Sequence, residues 1–548
     1  MTKRRVMVIG LDGATWELLD GFMERGIMPR LQALVEEGCR GPLWSVVPPM
    51  TATAWTSFVT GKGPGKHGIY DWTEPMGNSY VYEPVDSRKV KSETILEMAS
   101  DKGLRVATVN LPLTFPCREL NGVAVSGMLT PDKDSPGFTY PASFRQTIED
   151  LSPEYIIDTH LSDSFEDILP FCERLETMLN ERGKVIRHLL DDEPWDLFVT
   201  VWVEMDRMQH CIWQFIDPEH PYYDKKGAAL YEERILDVYR LLDKRIGEMV
   251  DRRGENCDVI FISDHGFGPC RAKVFLNTWL AEHGFLKFKD SSNHTRDRLN
   301  RVRSVLDGMG IDTRKIIDIA KRYGGGRLIR NQGAALSRFA SGIDWSQTKA
   351  FCHGTNSIRI NLEGREPEGS VPQEQYEDVR KELREALLAM TDDDGTNVIS
   401  DVRMREELYS GPEIHRASDL FVADHDHSVW FYYSEGTIPD VLFEPSGWAS
   451  GNHKPNGIFL GHGPSFSKGT WVDEPNIIDI APTILSLMDL PIPDDVDGRI
   501  LKETFAEGYR PQVLWREAGV YDAATESAFS DKERAEIEER LRGLGYLQ

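Results

Sequence analysis

The amino-acid sequence predicts an α/β protein: a doubly wound, mostly parallel sheet with an inserted α+β cap subdomain. Three observations carry this expectation. First, short apolar, β-branched runs recur along the chain: RVMVIGL (5–11), RVATVNL (105–111), GVAVSG (122–127), DLFVTVW (196–202), DVIFIS (258–263) and NGIFLG (456–461). Runs without polar alternation suit strands buried on both faces. Second, helical periodicity fills several of the gaps, as over 165–190 and 231–250, which is the alternation a doubly wound sheet needs. Third, Asp12 and the pair Asp264-His265 stand where two of these runs end, and sheets of this kind bind ligands beyond the carboxyl ends of their strands.

At 548 residues the chain is long enough for one large domain with an insertion. The expected division is a core over 1–285, a cap over 286–436, the rest of the core over 437–510 and a helical tail over 511–548. The cap begins with a basic, Gly-interrupted stretch, DRLNRVRSVLDGMGIDTRKIIDIAKRYGGGRLIRNQG, followed by INLEGREPEG and the helical pattern QYEDVRKELREALLAM. The closing SDKERAEIEERLRGLGYL is a charged amphipathic helix, read as packing on the surface of the core.

Composition narrows the partners. Hydrophobic and charged fractions of 40% and 28% are ordinary for a globular protein. A net charge of -26 argues against nucleic acid or an anionic membrane, both of which draw on clustered Lys and Arg. A phosphate can still bind such a protein where metal cations dominate the local field. Seven dispersed cysteines read as reduced thiols. MTKRRVMVIGLDG lacks the apolar run and cleavage site of a secretory signal, and no apolar run approaches 18 residues. The expectation is a cytoplasmic protein with no transmembrane segment.

The chemistry-bearing residues are spread over more than four hundred positions: Asp12 in VIGLDGAT, Asp206 and His210 in EMDRMQH, Asp264 and His265 in ISDHGFG, and His453 in GNHKPNG. Three Asp and three His suit two divalent cations, which set roughly 4 Å apart clamp a phosphoryl group and activate a hydroxyl. Asp206 and His210 share a face if they lie on a helix. Asp264 and His265 converge only if the chain bends, for which Gly266 is the candidate. His453 has loop neighbours. Without cations, several Asp gathered at strand ends of one sheet would repel. Thr51, following Pro48-Pro49, begins a helix either as a plain N-cap or as a hydroxyl presented in the positive field of that helix end. Thr53 and Thr56 are nearby alternatives.

These residues carry a family resemblance. Asp12, Thr51 in P-x-x-T with VTG following, D-x-x-x-H, D-H-G and the late His453 resemble the alkaline phosphatase superfamily, and within it the type I phosphodiesterase/nucleotide pyrophosphatase branch. VTG to KHGI (59–69) and DIAPTILSLMDLPIPDDVDGRIL (479–501) are similar to conserved blocks there. The resemblance covers roughly 1–280 and 440–505. It implies that Asp206, His210 and His453 hold one metal, and that Asp12, Thr51, Asp264 and His265 hold the other. It further implies a phosphoester hydrolase working through a phospho-threonine on Thr51, with zinc the usual ion and manganese an alternative. The substrate would be a small phosphoester such as a nucleotide, sugar or lipid head group.

The chain departs from that branch at two places. Ala52-Thr53-Ala54 replaces Phe-Pro-Asn after the nucleophile, and Asp71 stands in the region where the branch uses an Asn to hold a phosphoryl oxygen. A carboxylate there repels that oxygen unless it is protonated or turned away. Sulfatases need a C/S-x-P-x-R motif that MTATAW lacks. A phosphomonoesterase or phosphoryl transferase on the same centre would want an added cation, for which Lys454, Arg271, Lys273 and Arg365 are the candidates. A non-catalytic metal-binding role would tolerate losing ligands. Trp345, Phe351, Trp430, Phe431, Tyr432 and Tyr433 read as core rather than a stacking platform, and His425 and His427 as an exposed loop pair.

Overall fold

All six apolar runs are strands of one sheet. The computed structural model describes residues 4–159, 168–289, 340–392, 394–432, 442–446, 449–519, 521 and 527–544. In chain order, the strands that build or border the site are β1 (Arg5–Leu11), β2 (Cys39–Trp44), β3 (Val106–Leu111), β4 (Gly122–Ser126), β5 (Thr139–Tyr140), β6 (Leu197–Trp202), β7 (Cys257–Ile262), β8 (Gly266–Pro269), β9 (Gly451–Lys454) and β10 (Asn456–His462). The large sheet has eight strands in the order β2-β10-β7-β1-β6-β3-β4-β5. Its centre, β7-β1-β6-β3-β4, is parallel throughout. The outer strands are not. β10 runs antiparallel to both β7 and β2, and β5 runs antiparallel to β4.

The local causes are visible in the side chains. β3, β6 and β7 are buried at every position, so each face is covered by helices and no polar alternation is needed. Two long helices, Ile168–Asp192 and Lys225–Asp251, bury one stripe each. The second is opened by Asp224, whose carboxylate accepts from the Lys226 amide. β2 alternates buried and half-buried residues and carries Pro42, which a strand at the sheet edge tolerates because one side of it makes no ladder.

Two hydrophobic clusters divide the interior. One lies around the large sheet. The other joins 274–286, much of 343–431 and the helix Asp531–Gly543. Within it, Ala350–Cys352, Ser357–Ile360, Leu420–Ala423 and Asp401–Met404 form a four-stranded antiparallel sheet. The helix Tyr376–Leu388 buries Tyr376, Val379, Leu383 and Leu387 in the same cluster. The terminal helix is capped by Ser530 with Glu533 and seats Ile537 and Leu541 in this second core. The basic stretch at 297–333 lies outside the described residues, as does Tyr433. Trp345, Phe351, Trp430, Phe431 and Tyr432 are buried. All seven cysteines are free, and among the described residues no helix is long and apolar enough to cross a membrane.

Candidate metal centre

Strand register builds the site. Leu11 lies beside Trp202 and Gly10 beside Ile262, so β1, β6 and β7 end at one level. Asp12 follows β1 directly. Beyond β6 the chain turns into the helix Glu204–Ile216, here α2, which carries Asp206 and His210 one turn apart. Beyond β7 come Ser263, Asp264 and His265, then β8. Thr51 sits on α1, the helix Thr51–Thr60, where it is the first helical residue rather than the N-cap. Met50 holds the cap position, because the extended, Pro-led approach ends one residue earlier.

Two further local expectations are corrected. His453 is not in a loop. It lies in β9, paired with Phe267 of β8, a long-range pairing that its Gly, Asn and Pro neighbours disguise. Gly266 is needed for room rather than for an unusual bend: its φ is not positive, and a Cβ there would meet the Asn456 carbonyl oxygen at 2.0 Å. The turn that does require a left-handed glycine is at Gly13, with φ +71° and α2 pressed against it at Asp206.

The six ligand-type side chains converge as two groups, Asp206/His210/His453 and Asp12/Asp264/His265. In each group, one ligand atom per residue lies within 4.8 Å of the others. His265 Nε2 stands 3.3 Å from Asp264 Oδ2 and 3.8 Å from Asp12 Oδ1 and Asp206 Oδ1. His453 Nε2 is 3.3 Å from both Asp206 Oδ1 and His210 Nε2. Thr51 Oγ1 is 3.3 Å from His265 Nε2, which places the hydroxyl beside the Asp12 group.

A second layer aims these groups. Trp55, one turn along α1 from Thr51, donates its indole N–H to Asp12 Oδ2 at 3.0 Å. The Gly13 amide donates to Asp264 Oδ1 at 3.3 Å. Arg207 donates to Asp206 and anchors itself on Asp158 at 2.9 and 3.0 Å. His265 Nδ1 is 3.0 Å from the Gly266 carbonyl and His453 Nδ1 is 3.0 Å from the Pro49 carbonyl. A carbonyl only accepts, so Nδ1 carries the proton and Nε2 presents its lone pair to the centre.

Burial and mutual charge set the protonation of these groups. Burial, then Asp264 and Asp206, push Asp12 well above the usual carboxylate range; burial and then Asp206 push Asp264 up to about 7. Burial also works to raise Asp206, but His210 and Arg207 outweigh it and hold that carboxyl low. Burial drives His210 down to about 3 and His265 well below its normal value, so both rings are neutral. Asp12 Oδ1, Asp206 Oδ1 and Asp264 Oδ2 are buried with no hydrogen-bond partner among the described residues. Carboxylate oxygens without donors, beside neutral imidazoles with inward lone pairs, match the donor set that zinc or manganese takes.

The remaining candidates divide. Asp71 is half-buried and lines a cleft of about 280 Å³ with Tyr82, His353, Arg359 and Arg416. Burial raises its carboxyl to about 7. That cleft meets the opening beside His210 and His453 at Pro48 and Thr355. Lys454 instead reaches Glu17, 3.6 Å away. Arg271 faces Asp426 at 3.9 Å. Lys273 lies over the Trp430 and Tyr432 rings, and Arg365 is tied to Asp419 and Glu366. None of these four cations is spare. The sequence reading passed over Trp55 and Arg207, although Trp55 stands four residues after Thr51 on its helix and Arg207 is inside EMDRMQH.

The conserved-looking blocks serve α1. His67 of KHGI is within 2.9 Å of the Ser57 hydroxyl. Helix Ile480–Leu487 packs at Gly61, where a Cβ would meet Ala481 and Pro482 at 3.1 and 3.3 Å. Asp497 accepts from the Gly63 amide at 2.8 Å.

Such a sheet, with acidic and imidazole ligands gathered beyond its carboxyl edge and a hydroxyl on an adjoining helix, defines a hydrolase of the alkaline phosphatase superfamily. Residues 6–456 match the family model of type I phosphodiesterase/nucleotide pyrophosphatase, and the chain belongs to that family, whose members hydrolyse phosphoester bonds. Among solved structures, human ectonucleotide pyrophosphatase/phosphodiesterase 5 shares the fold at 15% identity and a TM-score of 0.51, covering 92% of this chain and 100% of that one. Phosphonoacetate hydrolase from Sinorhizobium meliloti 1021, solved with phosphonoformate, does so at 15% identity and a TM-score of 0.51, covering 89% and 96%. A search of curated protein sequences finds no match.

Proposed function

We propose that this enzyme is a two-metal phosphodiesterase of the nucleotide pyrophosphatase type that passes the phosphoryl group through Thr51. The observation that carries this reading is the convergence of two buried three-ligand groups with the Thr51 hydroxyl against one of them, 3.3 Å from His265 Nε2. Asp206, His210 and His453 would hold one cation, and Asp12, Asp264, His265 and Thr51 the other. Bound there, zinc or manganese would neutralise the phosphoryl oxygens and lower the pKa of the Thr51 hydroxyl.

The chain's own residues do the rest. The Thr51 hydroxyl gives its proton to solvent, Oγ1 attacks phosphorus and the Thr51 Oγ1–P bond forms, while the P–O bond to the leaving group breaks and that oxygen departs with the electron pair and takes a proton from water. Water then hydrolyses the phospho-threonine. Amides of the first turn of α1 precede that helix's own hydrogen-bond ladder and face the anion. Carbonyls at Gly266 and Pro49 keep the two imidazoles in their Nε2-inward state. Asp71, with its carboxyl raised to about 7, would be half protonated near neutrality and donate to an oxygen of the bound ester, answering the absence of an Asn there.

The test is metal content together with hydrolysis of bis-p-nitrophenyl phosphate and p-nitrophenyl phosphate by one preparation. About two zinc or manganese per chain with faster diester turnover is the expected result. Faster monoester turnover would transfer the reading to a phosphatase, and a protein that binds no metal would end it.

A further inference from the structure

The turn 424–428 brings a fourth histidine to the centre, beside His210, His265 and His453. His427 lines the opening beside the metal groups together with Pro49, His210, Trp430, Asn452 and His453. Its neighbour in sequence, His425, is exposed. The pair expected to share one exposed loop is therefore split, with one ring outside and the other half-buried at the mouth.

What places His427 there is not what the turn needs. Its backbone lies at φ +57°, the left-handed region, which His adopts more readily than most non-Gly residues. The turn holds without its side chain. Asp424 Oδ2 accepts from the Ser428 and Val429 amides at 2.7 and 3.0 Å. Asn452 Nδ2 donates to the His427 carbonyl at 2.9 Å and to the Val429 carbonyl at 3.2 Å. The imidazole itself has no hydrogen-bond partner among the described residues. One anchor of the turn also borders the centre, since Asn452 precedes His453 on β9, and Trp430, two residues beyond the turn, stacks on the His210 ring at 5.8 Å between centroids. A turn held by other side chains, with a half-buried, uncommitted ring at the mouth of a cluster of ligand-type residues, is a placement that the turn's own hydrogen bonds do not require.

We propose that His427 is a substrate-contacting residue of this site, its imidazole hydrogen-bonding an oxygen of the phosphoester seated against the Asp206/His210/His453 group. The contact rests on the phosphoesterase reading above. It assigns to the inserted segment a direct part in holding the substrate, beyond walling the cleft.

The test uses the zinc-loaded full chain with inorganic phosphate as the probe, measured by calorimetry, alongside thermal melting and the kcat and KM for bis-p-nitrophenyl phosphate. His427→Gly removes the ring and keeps a residue suited to the left-handed backbone. His427→Asn keeps a left-handed-compatible residue whose shorter side chain stops short of the opening. Both variants should melt within about 2 °C of the parent and bind phosphate about tenfold more weakly, the loss of one hydrogen bond to a charged group. KM should rise more than kcat falls. Phosphate affinity within twofold of the parent, or a melting point lowered by several degrees in both variants, would overturn the contact and leave His427 a structural residue. Parent protein that binds phosphate but turns over no ester would sink the phosphodiesterase reading while sparing this one. Parent protein that binds no phosphate would sink both.

Discussion

The floor of the site and its mouth are built on opposite terms. The floor is strand-end chemistry: Asp12, Asp206, Asp264 and His265 are buried, locked by register, and supported by Trp55, Arg207 and the Gly13 amide. The mouth and its cleft are shared between 48–85 and 353–430: Arg359 and Arg416 are engaged by Glu366 and Glu74, and Asp71 is half-buried. The first region gathers three carboxyl groups, one of them answered by Arg207 and the other two pushed up by burial and by each other's charge. The second balances its charges in ion pairs. The contrast teaches that the ligand-type cluster and the cleft beside it are separable here, one set by the sheet and the other by segments that border it.

The largest expected effect is on the floor. Thr51→Ala should lower bis-p-nitrophenyl phosphate turnover by about a thousandfold or more while metal content, read by mass spectrometry, stays near the parent value. Full activity in that variant would break the comparison at its base. Next is Trp55→Phe, which removes the indole donor to Asp12 with little change in volume. It should weaken metal binding about tenfold in competition with a chelator, with a smaller effect on kcat at saturating metal.

The smallest effect tests the mouth. Asp71 has a folded pKa raised by burial to about 7 from a reference of 3.8. Its contribution to stability is therefore present below about 4 and is lost as pH rises through about 7, where a charge must be buried. If the protonated form is also the donor to substrate, kcat/KM should fall above pH 7 in the parent. Asp71→Asn should flatten that limb and raise the melting point at pH 8. An unchanged pH profile in Asp71→Asn would separate Asp71 from the reaction.

How much of this was legible follows the same division. The six runs were readable because a strand covered on both faces leaves an unbroken apolar run. The direction of β10 was not, because it depends on a connection through β9, and β2 was missed because Gly41 and Pro42 interrupt its pattern. The ligand residues were legible as residue types at strand ends. Their sorting into two groups came with the family resemblance, and the structure groups them in the same way. His453 looked like loop because its partner, Phe267, is far away in sequence. His427 looked like solvent because nothing local reports that Asn452 holds it. Spacing along one element reveals its own face, whereas a contact between distant segments leaves no local mark.

Helix α1 starts in one core and continues in the other: its cap residue Met50 and Ala52 pack with the second cluster, while Ala54, Trp55, Phe58 and Val59 pack with the first. The Thr51 hydroxyl is thus hung like a pointer between two cores. Substitutions that loosen the second core from afar, as at Ile537 and Leu541 of the helix Asp531–Gly543, are expected to shift Thr51 relative to His265 and lower turnover with the six ligand-type side chains untouched.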